Sequence, residues 1–463
     1  MLLKDAIEEF NDLRRVVERL ELHSAAARRA LLEAPYLRGE EEISREFDLV
    51  HRATPLEERQ EIFPLLARVK DIRGTIHRLA SGEIPDDIEL FEIKTFALLA
   101  DEIATLARAA DAEAVEIPTL TPVIEILDPE ANRLPHFYIY DSYSPALARL
   151  RAALANIGDP PPTPADETLA ASLRVAALDE EERVREHLAD RLRPHHRALA
   201  EALAAVARTD ILLAKARLAR EMEACRPAIS PDDTRYQSLF HPIVRRALRD
   251  AGREFQPVDI TFGAGVLLVT GANMGGKSVL LKSVALAQLL FQFGFHVPSA
   301  RAAIVPVDEI FLSTGDGQDA TRGLSTFAAE MLAINRVVGR IKSGKTPLVL
   351  LDEPAAGTNP AEGIAIVDAI VEFLARRRVP ALVTTHHGGI LAPCRKCRVR
   401  GLARTIDAAL PVDRLHELMD YTLVEETDND APADATRVAE LLGVDEEIIQ
   451  SIKTYAHKRD THE

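Results

Sequence analysis

Residues 271–278, Gly-Ala-Asn-Met-Gly-Gly-Lys-Ser, restrict what this chain can fold into more than any other segment. Gly, four residues, then Gly-Lys-Ser is the spacing of a loop that wraps phosphate. Gly271, Ala272, Asn273, Met274, Gly275 and Gly276 must turn backbone N–H groups inward, close to anionic oxygens, and glycine permits that. Lys277 then brings a cation to the β- and γ-phosphates, and the Ser278 hydroxyl is placed to ligate Mg²⁺. Such a loop works only between a buried strand and a helix whose positive end faces the anion. The apolar run Val266-Leu267-Leu268-Val269 precedes it, and 277–293 reads as helix. Chance could supply the spacing alone; spacing in this setting points to nucleotide binding.

Two further apolar runs, Leu348-Val349-Leu350-Leu351 and Ala381-Leu382-Val383, alternate with helical stretches 277–293 and 361–377. That alternation predicts a doubly wound α/β sheet over the second half of the chain. Asp352-Glu353 closes the first of these runs, at the carboxyl end of a buried strand, where such sheets bind ligands. Asp352 is expected to hold Mg²⁺ through water, and Glu353 to polarise the attacking water as general base. Capping of the next helix is the competing reading for one carboxylate, but Pro354 follows too closely for both to do so. His386, at the end of the strand through Thr385, is placed to hydrogen-bond a γ-phosphate; a purely structural histidine is the competing reading.

A chain of 463 residues suits two or three domains at roughly 100–200 residues each. No apolar run approaches the roughly 20 residues of a membrane span, and the start lacks a signal-peptide core, so a cytoplasmic protein is expected. Three cysteines are too few for a disulfide framework. The net charge of −17 argues against wrapping nucleic acid by bulk charge, though not against a local basic patch.

Residues 1–115 read as a helical region. Ile62, Leu65, Leu66, Val69, Ile72, Ile76 and Leu79 recur at helical spacing, most simply as a core face. Residues 116–230 form a second segment. Ile117 to Leu127 lead into a turn-rich run, Asp128-Pro129-Glu130-Ala131-Asn132, and Phe137-Tyr138-Ile139-Tyr140 looks like a short strand. Ser144-Pro145 starts a helix, Pro160-Pro161-Pro162 marks a linker, and long helices at about 166–191 and 195–224 predict an antiparallel pair. Residues 231–463 form the α/β domain. Within it Cys394-Arg395-Lys396-Cys397 has the spacing of half a zinc site but lacks a second ligand pair. Its basic flank, Arg395 to Arg404, is most simply a solvated face.

At this point the motifs resemble one family. Thr270 through Ser278, with Asn-Met inside the loop, is similar to the phosphate loop of MutS proteins. Phe240-His241-Pro242, His296-Val297-Pro298, Ser325 through Met331, Asp352-Glu353-Pro354, Gly357 through Gly363 and Thr384-Thr385-His386 follow in that family's order, covering about 231–390. Asp141 through Leu147 and Gly315-Asp316-Gly317-Gln318 resemble the Smr-bearing MutS paralogues more than the mismatch-repair enzyme. The resemblance implies a P-loop ATPase domain of the ABC/MutS kind preceded by an α-helical lever. It also implies a homodimer with composite ATP–Mg²⁺ sites, Asn273 positioning the attacking water, and Val279 and Glu330 lining the nucleotide. Ser325 would approach the γ-phosphate from the other subunit, and the helix from Ile448 to Ala456 would make a dimer contact.

Departures limit what carries over. None of the 15 Phe residues is followed two positions later by Glu, so the family's mismatch wedge is not expected, nor are the mismatch-recognition and Smr domains. Ala272 and Val279 replace the family's usual Pro and Thr, and His387-Gly388-Gly389 its aromatic continuation. Two functions stand open. ATP turnover coupled to double-stranded DNA, as in mismatch repair, follows from the resemblance. Remodelling or reactivation of a protein partner without DNA, for example a cobalamin-dependent aminomutase, suits the acidity better.

Overall fold

A computed structural model describes residues 1–112, 114–271, 276–314, 326–402, 419–426, 434–441 and 443–460. The first half is helical: α1 (Leu3–Glu9), α2 (Asn11–Val17), α3 (Ala25–Leu32), α4 (Glu40–Glu57), α5 (Ile62–Ala67), α6 (Arg73–Ala80), α7 (Asp87–Ala109), α8 (Thr121–Leu127), α9 (Pro145–Ile157), α10 (Pro164–Leu192) and α11 (His196–Met222). Local chemistry sets their ends. Asp86 and Glu89 form a reciprocal capping box at the start of α7, each carboxylate accepting from the other's backbone N–H. Helix α11 is buried on nearly every side, because α3, α4, α6 and α7 all pack on it.

Two expectations for this half fail. Phe137–Tyr140 is extended but joins no sheet; Ile139 and Tyr140 are buried, and the Tyr140 hydroxyl accepts from the Lys94 ammonium, 3.0 Å away. Helix α8 precedes it, followed by a turn at residues 129–130 within the run Asp128–Asn132 read as turn-rich. The long helices also do not pair with each other. Arg193–His195 form a 3-10 turn with Leu192 and Arg193 still in helical geometry, so the chain runs on instead of reversing. Helix α10 packs on α9 and α8 instead. The reversal comes at the proline linker, where Gly158 adopts φ +84° and Ser144, at the start of α9, reaches Glu180 of α10 at 2.7 Å.

The second half contains two sheets. Strands β1 (Ala228–Ile229), β2 (Asp233–Leu239), β3 (Val258–Gly263) and β5 (Arg301–Ile304) form one, in the order β1-β5-β2-β3. The other has the order β10-β9-β4-β8-β7-β6, built from β4 (Val266–Thr270), β6 (Glu309–Ser313), β7 (Pro347–Asp352), β8 (Ala381–Thr385), β9 (Arg395–Leu402) and β10 (Met419–Glu425). All its neighbours are parallel except the edge strand β10. Helices α12 (Pro242–Asp250), α13 (Lys277–Gln292), α14 (Thr326–Lys342), α15 (Pro360–Arg376), α16 (Asp434–Leu441) and α17 (Glu446–Asp460) complete the fold.

Alternation explains why the central strands are wholly apolar. Leu267, Val269, Leu348, Leu350 and Leu382 face one core, shared with α13 and the helical half. Val266, Leu268, Val349, Leu351 and Val383 face the other, beneath α14 and α15. Helix α13 also joins the halves. Its last residue, Gln292, accepts from the Tyr36 hydroxyl at 2.8 Å, and Lys215 of α11 donates to the next carbonyl, Phe293, at 2.7 Å. Lys215 is buried and paired with Glu46 at 2.7 Å. Among the described residues, no helix is long and apolar enough to cross a membrane.

Candidate nucleotide site

Strands β4, β7 and β8 end side by side, and their carboxyl ends carry most of the residues singled out above. Gly271 leaves β4 at φ +139°, and Gly276 opens α13 at φ +71°, a conformation that glycine adopts without penalty. A Cβ at Gly276 would lie 3.0 Å from the Tyr421 ring, so a side chain there would press on the ring. Ala272, Asn273, Met274 and Gly275 lie outside the described residues, as does Ser325. Ser278 is exposed in the first turn of α13, and Val279 is half-buried.

The charged residues converge. Lys277 is buried, donates to the Gly271 carbonyl at 2.5 Å and pairs with Glu353 Oε1 at 3.0 Å. The other Glu353 oxygen, Oε2, meets His386 Nδ1 at 3.0 Å. Burial pushes the Glu353 carboxyl up, but Lys277 and His386 together outweigh it and hold it below the ordinary carboxylate value. Glu353 itself sits at φ +48°, a left-handed conformation uncommon for a side chain of this kind. Asp352 stands beside Thr384 in the β7–β8 register, and its Oδ1 accepts from the Thr384 hydroxyl at 2.7 Å.

Glu330, singled out as a nucleotide contact, is half-buried on α14. Its carboxylate accepts from the Ala355 N–H at 3.1 Å and so braces the turn after Glu353; burial pushes its pKa up. Ala355 is also left-handed, at φ +63°. Among the described residues no group of three or more His, Cys, Asp or Glu side chains gathers as a metal site. Cys394 is half-buried and Cys397 buried, and burial pushes the Cys397 thiol up to about 11. Arg395 and Arg400 of the basic flank pair with Glu425 and Asp420.

Two openings border the Lys277–Glu353 pair. One, about 170 Å³, lies between α12, α13 and β10, lined by Phe255, Gln256, Gly276, Lys277, Val279 and Tyr421 among others. The second, about 540 Å³, reaches Glu353 from the side of α2 and α14, past Asp12, Lys282, Glu330 and Arg336. Sequence reasoning missed the first wall. Phe255 and Tyr421 are far apart in the chain, and the Gln256 side chain, bonded to Asp420 and to the Tyr421 N–H at 3.0 and 3.1 Å, helps to bring them together. It also left Thr384 without a role; the signal was its place on the strand beside Asp352.

Residues 267–459 match the family model for MutS domain V, which is an ATPase domain of the P-loop type. Endonuclease MutS2 of Streptococcus pneumoniae strain Taiwan19F-14 is 33% identical over 221 residues, 47% of this chain and 27% of that protein. The same protein from strain Hungary19A-6 matches to the same extent. The aligned part therefore spans about a quarter of the length of these curated relatives.

Proposed function

Because the chain is a MutS-family protein, we propose that it binds and hydrolyses ATP at the Lys277–Glu353–His386 cluster and couples that cycle to DNA. The observation that carries the reading is the linked triad at the ends of β4, β7 and β8, with Lys277 and His386 on opposite oxygens of Glu353. The residues fit a magnesium nucleotide. Gly276 leaves a cradle that a Cβ would fill, Lys277 supplies a buried cation at a helix N-terminus, and Asp352 commits only Oδ1 to Thr384. Ser278 and Asp352 would hold the Mg²⁺, which neutralises charge on the transferring phosphate.

The triad also suggests how the base is readied. Phosphate arriving in the loop competes for Lys277, and its negative charge is the stronger partner. Glu353, losing that cation, is left with burial as the main influence on its pKa, which rises. A carboxylate so released is a better base for water, and His386 keeps it oriented. In this reading Gly271 to Val279 surround the phosphates and Asn273 positions the water. Ser325 completes the site from a second copy of the chain, and the cavity beside Tyr421 receives the base.

The DNA coupling rests on family membership, and the relatives' title of endonuclease agrees with it. Action on a protein partner is the second reading, favoured by the net charge of −17. A duplex-binding titration with and without ATP, carried out across salt, separates the two. ATP-dependent binding that weakens steeply with salt is expected; absence of binding at low salt would end the DNA reading and leave the protein partner.

A further inference from the structure

Both acidic residues of the proposed ATPase site depend on one side chain outside it. Thr384 is fully buried in β8, directly opposite Asp352 of β7 in the parallel register. Its hydroxyl has one proton and two lone pairs, and two of these capacities are used on neighbouring residues. The proton goes to Asp352 Oδ1 at 2.7 Å. A lone pair accepts from the Glu353 N–H at 3.0 Å. The same N–H also approaches the Thr384 carbonyl at 3.2 Å.

We infer that Thr384 is a positioning residue: its hydroxyl sets the rotamer of Asp352 and the left-handed backbone of Glu353 together, and so couples metal binding to the placement of the base. The inference rests on the ATPase reading of the site. Its physical basis is the geometry of the strand end. At φ +48°, Glu353 has left the extended path of β7, and a non-glycine residue stays there only when its surroundings hold it. The Thr384 hydroxyl and carbonyl grip its N–H from the adjacent strand, while the Glu330 carboxylate grips the Ala355 N–H two residues on. That turn aims the Glu353 carboxylate back at Lys277 and His386. Asp352, on the strand side of the turn, has Oδ1 occupied by the same hydroxyl, which fixes the direction in which Oδ2 points.

Valine has the shape of threonine without either hydrogen-bonding capacity. The packing of β8 between β4 and β7 uses the methyl and the backbone, which valine keeps, so a merely structural Thr384 would tolerate it. A positioning Thr384 would not. Its neighbour is a useful contrast: the Thr385 hydroxyl accepts from the His387 N–H at 3.0 Å and has no bond to either carboxylate.

The test uses the full chain and compares Thr384→Val, Thr384→Ser and Thr384→Ala with wild type. Three readouts are taken: steady-state ATP turnover against Mg²⁺, affinity for a fluorescent ATP analogue without metal, and Mn²⁺ affinity in the presence of ADP from the free-ion EPR signal. Thr384→Val is expected to lower kcat by about 10- to 100-fold and weaken Mn²⁺ by about fivefold, with metal-free nucleotide affinity within about twofold. Thr384→Ser, which restores the hydroxyl, is expected to return both to within about threefold. Should Thr384→Val not fold, the serine and alanine pair decides, because only alanine loses the hydroxyl. Wild-type kcat and Mn²⁺ affinity in Thr384→Val, or equal losses in serine and alanine, would overturn the inference. Absence of turnover in the wild type would instead overturn the ATPase reading itself.

Discussion

Two lysine–carboxylate pairs of nearly equal length lie in the two halves of this molecule. Lys94 meets Asp128 at 2.9 Å in the helical half, and Lys277 meets Glu353 at 3.0 Å at the sheet ends. Both lysines are buried, so neither distance nor burial separates them. Their surroundings do. Lys94 and Asp128 have no side-chain exposure, and each has a second partner inside the fold, the Tyr140 hydroxyl for Lys94 and the Arg133 N–H for Asp128. Glu353 keeps about a quarter of its side-chain surface exposed, sits on a left-handed backbone and lines the larger opening, while Lys277 lines the smaller one. A closed pair holds a fold together, whereas a pair that is open on both sides and held on strained backbone can exchange partners.

Breaking each pair should therefore damage a different property. The largest effect is expected for Lys277→Ala, which removes the cation from the loop. ATP affinity, followed by titration calorimetry, should fall by about 100-fold or more, while the thermal midpoint stays within a few degrees. Retained affinity would make Lys277 the same kind of residue as Lys94. Lys94→Met should do the reverse. It strands Asp128 in the core at a cost of about 3–5 kcal/mol, seen as a lower urea midpoint, with ATP affinity unchanged. This loss should depend on pH with a defined sign. Burial pushes the Asp128 carboxyl up, but Lys94 and the Arg133 N–H outweigh it and leave its folded value below 3.8. The wild-type pair thus stabilises fully above the ordinary carboxylate range and loses that contribution as pH falls through the lower folded value. The gap between wild type and Lys94→Met should accordingly narrow in acid. A smaller effect is expected at the wall of the nucleotide cavity. Tyr421→Ala should weaken a fluorescent ATP analogue by about five- to tenfold, the worth of one ring contact, and leave kcat at saturation unaltered.

The same contrast explains what could be read before the structure. Phosphate and metal chemistry tolerates few residue types at few spacings, so Gly271 to Ser278, Asp352, Glu353 and His386 were legible as a set, and the structure brings the described ones together. The helical half obeys only the looser rule that apolar residues face inward. Its stripes from Ile62 to Leu79 were visible, but Phe137–Tyr140 has the residue types of a strand while being held by Lys94 of α7 and Arg151 of α9. Pairing of α10 with α11 was misjudged because Pro194 reads as a break, whereas it sits at the start of a 3-10 turn that carries the chain on. The Tyr421 and Phe255 wall, and the Thr384 hydroxyl, needed strand register, which no local pattern carries.

The central claim is that Glu353 turns over ATP that Lys277 binds. Glu353→Gln keeps the shape and removes the charge, so a filter-binding assay for radiolabelled ATP alongside phosphate release tests it most directly. ATP should remain bound to Glu353→Gln at near wild-type affinity while turnover falls by about 100-fold or more. Undiminished phosphate release from Glu353→Gln would contradict it.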